Sequence, residues 1–218
     1  MNWNVDAAIF DMDGTLLDTM RYWRYTTLEF LLAHGLPVRD EDLLRMHDTS
    51  SRRFLLDYAA REGLDFGPER EMIAELEGYM NRHYLYDAKL KPGVPELLDR
   101  LIGRGLRLCV ATGSPREYAR NGLGRLGVLD RFEFVTDNYE EPVTKAEPAY
   151  FGLVAKRLGT TPERCVVFED ALYAMKSAKA AGCQVVAIED STARRQREDI
   201  QKVADRYVRR WPELWDEI

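Results

Sequence analysis

Short apolar runs recur along the chain at residues 7–10, 106–111, 132–136, 165–168 and 185–188, and Tyr207-Val208 adds a weak sixth. The runs are apolar throughout instead of alternating with polar residues. That pattern predicts strands covered on both faces, as in a mostly parallel sheet. A polar turn and then a helical pattern follow each of the main runs, which predicts βαβ crossovers. In such folds ligands bind beyond the carboxyl ends of the strands.

One interval breaks the alternation. Residues 20–88 hold no convincing strand. Trp23, Leu28, Leu31 and Leu32 mark one amphipathic helix, and Phe54, Leu55, Tyr58 and Ala59 a second. Met72, Ile73, Leu76, Tyr79 and Met80 mark a third, all at i, i+3, i+4 spacings. A block of this kind inside an α/β chain predicts an inserted all-helical cap domain over 20–88. A polar turn at 87–93, with Pro92-Gly93, returns the chain to the core. The expected architecture is α/β: a three-layer Rossmann-like catalytic core from 1–19 and 89–218, with a mostly parallel sheet, carrying the cap.

Composition narrows the classes. The 218 residues are 45% hydrophobic, enough for a substantial core, and the formal charge of −6 disfavours nucleic acid as a partner. The N-terminal segment lacks the basic stretch and apolar run of a secretory signal, and no run nears the ~18 apolar residues of a membrane span. A soluble cytoplasmic protein without membrane partners is expected. Cys109, Cys165 and Cys183 show no C-x-x-C spacing and read as reduced thiols, the first two buried in strands.

Candidate chemistry lies at the strand ends. Asp11 and Asp13 follow the first apolar run directly, in AIFDMDGTLLDT. Two buried carboxylates are costly without partners. A D-x-D pair can cap a helix or meet basic residues, but Gly14 and Thr15 add a loop whose amides can cradle an anion. Thr112 ends the second run in VATGSPREY, where Ser114 reads as helix N-cap, Pro115 as first helical residue and Glu117 as capping-box partner. That helix start, with Gly113 and Ser114, also offers amides to a phosphate. Glu169 and Asp170 close a later run and suit a hard cation with oxygen ligands, most plausibly Mg²⁺. Behind them Ala171, Ala174, Ala178 and Ala181 share a helix face that lets the helix approach the sheet, and Gly182 suits its end. A lone lysine such as Lys145, in TKAEPAYF, is ordinarily a solvated surface residue. GLGRLG matches G-x-G-x-x-G, but it falls late in a helix where the dinucleotide context fails.

Together these segments resemble the haloacid dehalogenase-like hydrolase superfamily over nearly the whole chain, in particular its phosphatase and β-phosphoglucomutase-like branch with a small helical cap. DMDGTLLDT is similar to the first motif, Thr112 to the second, Lys145 to the third and Glu169-Asp170 to the acidic fourth. KPGVPELLDRLIGRG resembles the re-entry segment. Ala146 departs from the usual proline after the lysine, and Ala171 and Ala174 from the usual serine and glycine. The resemblance implies that Asp11 is a nucleophile forming an aspartyl-phosphate and that Asp13 is the acid/base. It implies Mg²⁺ held by Asp11, the Asp13 carbonyl, Asp170 and, directly or through water, Glu169. Thr112 and Lys145 would bind the phosphoryl oxygens, and Lys145 with the metal would offset the repulsion between carboxylate and phosphate. Asp13 needs a raised pKa for its role, which the Asp11 charge would supply.

The function this implies is Mg²⁺-dependent hydrolysis of a small phosphorylated metabolite by a monomer or dimer. Haloalkanoic dehalogenation fits poorly, because those relatives lack the second acid that Asp13 supplies. A phosphomutase of the β-phosphoglucomutase type is the alternative, although Thr15 and, approximately, Trp23 stand where that group carries valine and histidine. A non-catalytic module binding a phosphorylated ligand or a protein is a third reading, which loss of Asp11 or Asp13 would have signalled. Specificity is expected in the cap, where MHDTSSRRFL places His47, Arg52 and Arg53 around a polar turn. Arginine suits a second phosphate or a carboxylate. The alternative is a solvated basic turn. Tyr22, Trp23 and Tyr25 read as cap core or cleft lining.

Overall fold

The first strand, β1 (Ala7–Phe10), is buried at every position, and its two alanines leave room for close packing from both sides. The computed structural model describes residues 4–138 and 142–218, with backbone alone at 47 and 48. After β1 come four helices: α1 (Tyr22–Ala33), α2 (Asp40–Asp48), α3 (Ser51–Glu62) and α4 (Glu69–Tyr86). Helix and strand then alternate through α5 (Val94–Gly103), β2 (Arg107–Thr112), α6 (Arg116–Arg125), β3 (Phe134–Asp137) and α7 (Pro148–Arg157). The chain closes with β4 (Cys165–Glu169), α8 (Leu172–Ala181), β5 (Gln184–Ile188), α9 (Arg197–Val203) and β6 (Arg206–Val208). Two compact units result, Met1–Asp18 with Lys89–Ile218 and the helical Thr19–Ala88.

The six strands form one parallel sheet in the order β3-β2-β1-β4-β5-β6. From β1 the chain builds outward to β3, then crosses back to β4 and builds the other way. Right-handed crossovers therefore put α5 and α6 on one face and α7, α8 and α9 on the other, a Rossmann-like three-layer arrangement. Side-chain alternation agrees. Ala7, Ile9, Cys109, Ala111, Val167 and Val185 join the buried faces of α7, α8 and α9 in one cluster. On the opposite face Phe10 stacks on Phe168 at 4.4 Å, and Phe168 meets the edge of Trp211 at 5.6 Å. The strand order reverses between β1 and β4, so the crevice for a ligand opens at their carboxyl ends.

The helical unit is held by its own core of Phe30, Leu31, Met46, Phe54, Leu55, Tyr58, Met72 and Leu76. Two of its features depart from the periodicity. Leu32, expected on the apolar face of α1, is exposed, and Thr26 and Thr27 point inward instead. Helix α2 has no apolar stripe, because it turns Asp42 and Met46 inward and leaves Leu43 and Leu44 exposed. Its first turn carries Asp40, Glu41 and Asp42, which suit a helix N-terminus, and the buried Asp42 meets Arg61 at 2.7 Å. Tyr22 belongs to the core, and Trp23 and Tyr25 are partly solvent-exposed. His34 and His83 bond within the unit, His34 to the Phe30 carbonyl and His83 to Asp87 and Glu29.

All three cysteines are free and buried, and burial pushes each thiol up, which leaves them unreactive. Gly182, in the left-handed region at φ 101°, ends α8. No helix among the described residues is long and apolar enough to cross a membrane.

Candidate active site

Where β1 ends, the Asp11 amide donates to the Phe168 carbonyl at 2.9 Å and extends the β1–β4 ladder by one residue. The chain then turns sharply. Gly14 takes φ 85°, which a side chain would resist, and the amides of Leu16 and Leu17 fold back onto the Met12 carbonyl at 3.0 and 2.8 Å. Trp211, from the chain's last segment, pins this loop by donating its indole N–H to the Thr15 carbonyl at 3.3 Å. Asp11 is thereby held at the point where the strand order reverses, beside Glu169 at the end of β4.

Lys145 lies on the turn before α7 and reaches this point with its ammonium buried, although alanine follows it in place of proline. Its Nζ donates to Asp11 Oδ1 at 2.7 Å and lies 2.7 Å from Glu169 Oε2. The second contact is an ion pair without hydrogen-bond geometry, so Glu169 Oε2 and Asp11 Oδ2 are both buried without a hydrogen bond. The other Glu169 oxygen accepts from the amides of Asp170 and Ala171 at 3.1 and 3.0 Å, which locks the side chain at the start of α8. Thr15 donates a long 3.4 Å bond to Asp170 Oδ1.

A second group forms around the end of β2. The Thr112 hydroxyl accepts from the Ser114 amide at 3.0 Å, and the Ser114 hydroxyl donates to Asp13 Oδ2 at 2.6 Å. Ser114 is therefore not the N-cap of α6. The helix starts at Arg116, whose amide is met by Asp137 from the end of β3 at 2.9 Å. The serine hydroxyl points instead to the buried Asp13 carboxylate, 101 residues away in sequence. Gly113 between them is exposed.

The electrostatics expose a missing positive charge. Asp11, Glu169 and Asp170 can each offer a carboxylate oxygen within 4.8 Å of the others, against one ammonium. Burial and the Glu169 charge push Asp11 up to about 6, against the pull of Lys145. Burial, with the charges of Asp11, Glu169 and Asp190, holds Asp170 well above the usual carboxylate range. Burial works against the Lys145 ammonium, but Asp11 and Glu169 outweigh it and hold that group well above its ordinary value. Three hard oxygen donors in excess of their counter-charge, with orphaned buried oxygens on two of them, fit a divalent cation such as Mg²⁺. The Asp13 carboxylate is engaged by Ser114 and stands apart from this set.

The cap candidates stand elsewhere in the chain's partnerships. Arg52 is in the first turn of α3 and pairs with Glu69 at 2.5 Å, and Arg53 pairs with Asp57 one turn on. The side chain of His47 lies outside the described residues. Other residues around the site carried no motif. Asp190, at the end of β5, raises Asp170 and is paired with Lys91 at 3.1 Å. Burial lifts Asp190 itself, yet Lys91 and the bonds from Thr192 outweigh it and keep that carboxyl low. Asn138 accepts from the Lys145 amide at 3.2 Å. The one signal for Asp190 was its place in an acidic pair, Glu189-Asp190, directly after an apolar run, as Glu169-Asp170 follows the run before it.

Comparison with known proteins bears on the same residues. The sequence profile of the haloacid dehalogenase-like hydrolases matches residues 5–182. A phosphorylated carbohydrates phosphatase of Thermotoga maritima is 31% identical over 188 residues, covering 83% of each chain. An N-acetylmuramic acid 6-phosphate phosphatase of Pseudomonas aeruginosa is 31% identical, covering 84% of this chain and 80% of the relative. Among solved structures, CbbY from Rhodobacter sphaeroides in complex with phosphate shares the fold, with a TM-score of 0.79 at 22% identity over 97% of this chain and 96% of the other. With its acids gathered at the β1–β4 crevice and a family profile spanning most of its length, this chain belongs to the haloacid dehalogenase-like hydrolases.

Proposed function

We propose that this protein is a Mg²⁺-dependent phosphatase that hydrolyses a small phosphorylated metabolite through an aspartyl-phosphate on Asp11. The observation carrying this reading is the buried Lys145 ammonium placed 2.7 Å from both Asp11 and Glu169. A lysine so placed serves a carboxylate that must meet a phosphoryl group, since it offsets the repulsion between two anions. The relatives named as phosphatases support the same class.

The contacts support the following roles. Asp11 Oδ1, beside Lys145, attacks phosphorus, and the ester P–O bond breaks. Asp13 gives its proton to the departing alkoxide, then takes one from the water that attacks the aspartyl-phosphate and releases inorganic phosphate. Ser114 orients Asp13 for both transfers through its 2.6 Å bond. Thr112 and Lys145 hold phosphoryl oxygens, with the loop amides at Gly14 and Thr15. Mg²⁺ would be held by Asp11, Asp170, Glu169 and the Asp13 carbonyl, and when bound it would supply positive charge to offset the negative charge developing in the transition state. The helical unit is read as a cap, and Arg52 and His47 as its candidate substrate contacts.

The test is turnover of 4-nitrophenyl phosphate with Mg²⁺ and with chelator, followed by a screen of phosphorylated metabolites. Metal-dependent release of phosphate that Asp11→Asn abolishes is the expected result. No turnover of any ester, or turnover that survives Asp11→Asn, refutes the reading. A β-glucose 1-phosphate arm that yields an isomer instead of phosphate would assign a phosphomutase.

A further inference from the structure

We propose that Gly113, Asn138 and Tyr173 form a notch lined by hydrogen-bond donors that binds an oxygen of the transferred phosphoryl group and of inorganic phosphate. The inference rests on the phosphatase reading and extends it to residues outside the four motifs.

Gly113 lies between Thr112 and Ser114 and is not required there by its backbone, since its φ is outside the left-handed region. Nor is it required by crowding. A methyl group built on it would sit 3.5 Å from Asn138 Nδ2 and 3.9 Å from the Tyr173 hydroxyl, both ordinary contacts. The missing side chain instead keeps a space open onto which two polar atoms converge.

Both of those atoms are donors. The Asn138 amide cannot be reversed without loss, because its Oδ1 accepts from the Lys145 N–H at 3.2 Å, and its NH₂ is therefore the end facing Gly113. Among the described residues neither Asn138 Nδ2 nor the Tyr173 hydroxyl meets an acceptor. Tyr173 stands in the first turn of α8, half exposed, close enough to feel the charges of Lys145, Glu169, Asp11 and Asp170. Partial burial and the carboxylates outweigh Lys145 and push the phenol up, so it keeps its proton at neutral pH. Two neutral donors beside an ammonium call for an anionic oxygen.

Its position selects the phosphoryl group over the leaving group. Asn138 holds the backbone of Lys145, whose ammonium meets Asp11, and the charges that reach Tyr173 are those of Lys145, Glu169, Asp11 and Asp170 and not that of Asp13, which protonates the leaving oxygen. Tyr173 and Asn138 thus complete the ring of donors around the non-bridging oxygens.

The experiment measures inorganic phosphate binding to the full chain with Mg²⁺ by calorimetry, for wild type, Tyr173→Phe and Gly113→Ala, alongside aryl phosphate turnover. Removing a hydrogen bond to a charged oxygen should weaken phosphate roughly tenfold in Tyr173→Phe, with the melting temperature unchanged. Gly113→Ala, which fills the space, should weaken it at least as much. Phosphate affinity within twofold of wild type in Tyr173→Phe overturns the proposal. So does a rise in KM confined to particular esters at unchanged phosphate affinity, which would give Tyr173 to the leaving group. Wild type that binds phosphate in a Tyr173-dependent way but hydrolyses no ester keeps the notch and removes the phosphatase reading. Hydrolysis with Tyr173-independent phosphate binding does the reverse.

Discussion

Replacing Asp11 by asparagine should destroy turnover and, in the absence of metal, make the protein more stable. Burial and the neighbouring Glu169 charge lift the Asp11 pKa from 3.8 to about 6, with Lys145 only partly offsetting them. At pH 7 the ionised side chain therefore costs the metal-free fold up to about 3 kcal/mol, from about 1.4 kcal/mol per tenfold of proton affinity. Asparagine has nearly the same shape, stays neutral, and its carbonyl can still accept from Lys145. A gain of roughly 1–3 kcal/mol is expected in denaturant titrations with chelator at pH 7. The sign follows from the raised folded pKa. The folded wild type holds the Asp11 proton more tightly than the unfolded chain, so this penalty is absent below 3.8 and grows as pH rises through about 6. The advantage of Asp11→Asn should accordingly vanish at pH 3.5. Excess Mg²⁺ should also narrow it at pH 7, since a cation at one hundred times its Kd stabilises wild type by about 2.7 kcal/mol. A variant less stable than wild type at pH 7 without metal, or an advantage that persists at pH 3.5, would refute the account of these acids as a site lacking its counter-charge.

Four further outcomes follow for particular residues. Asp13→Asn should lower kcat on the order of 10²–10⁴, and an effect below tenfold in steady-state assays would contradict its acid/base role. Ser114→Ala removes the 2.6 Å bond that orients Asp13, so kcat should fall at an unchanged Mg²⁺ requirement, whereas an unchanged kcat would make Ser114 merely structural. Asp170→Ala should demand far more Mg²⁺ for half-maximal turnover, and an unchanged metal titration would remove Asp170 from the ligand set. Arg52→Ala separates a substrate contact from a surface ion pair with Glu69: altered relative rates across a panel of phosphate esters support the former, and uniform rates the latter.

The strands were legible because parallel strands buried on both faces must be apolar throughout, and β1 matches its run at both ends. The runs stop short of Thr112, Asp137 and Glu169, polar residues that the ladders nonetheless include. Hydrophobicity cannot register a strand residue whose side chain is polar because it serves a site. Helix α2 escaped notice for a related reason, since among its described side chains one of the two that point inward is a carboxylate matched by Arg61 and not an apolar group. Ser114 illustrates the opposite error. The S-P-x-E segment satisfies a local capping rule, yet the serine hydroxyl turns to donate to a buried carboxylate brought in by the sheet and accepts from no amide of the helix.

What the sequence by itself determined was the alternation of elements, the helical insertion and the four motif positions, because each is written in residues adjacent along the chain. Only the tertiary structure decided that Lys145 reaches Asp11, that Ser114 holds Asp13, that Lys91 and Asp190 stand behind Asp170, and that Asn138 and Tyr173 face Gly113. Those contacts join residues far apart in the chain through a sheet whose strand order reverses between β1 and β4. Charge–charge interactions depend on distance in space and on burial, and neither quantity is carried by local sequence pattern.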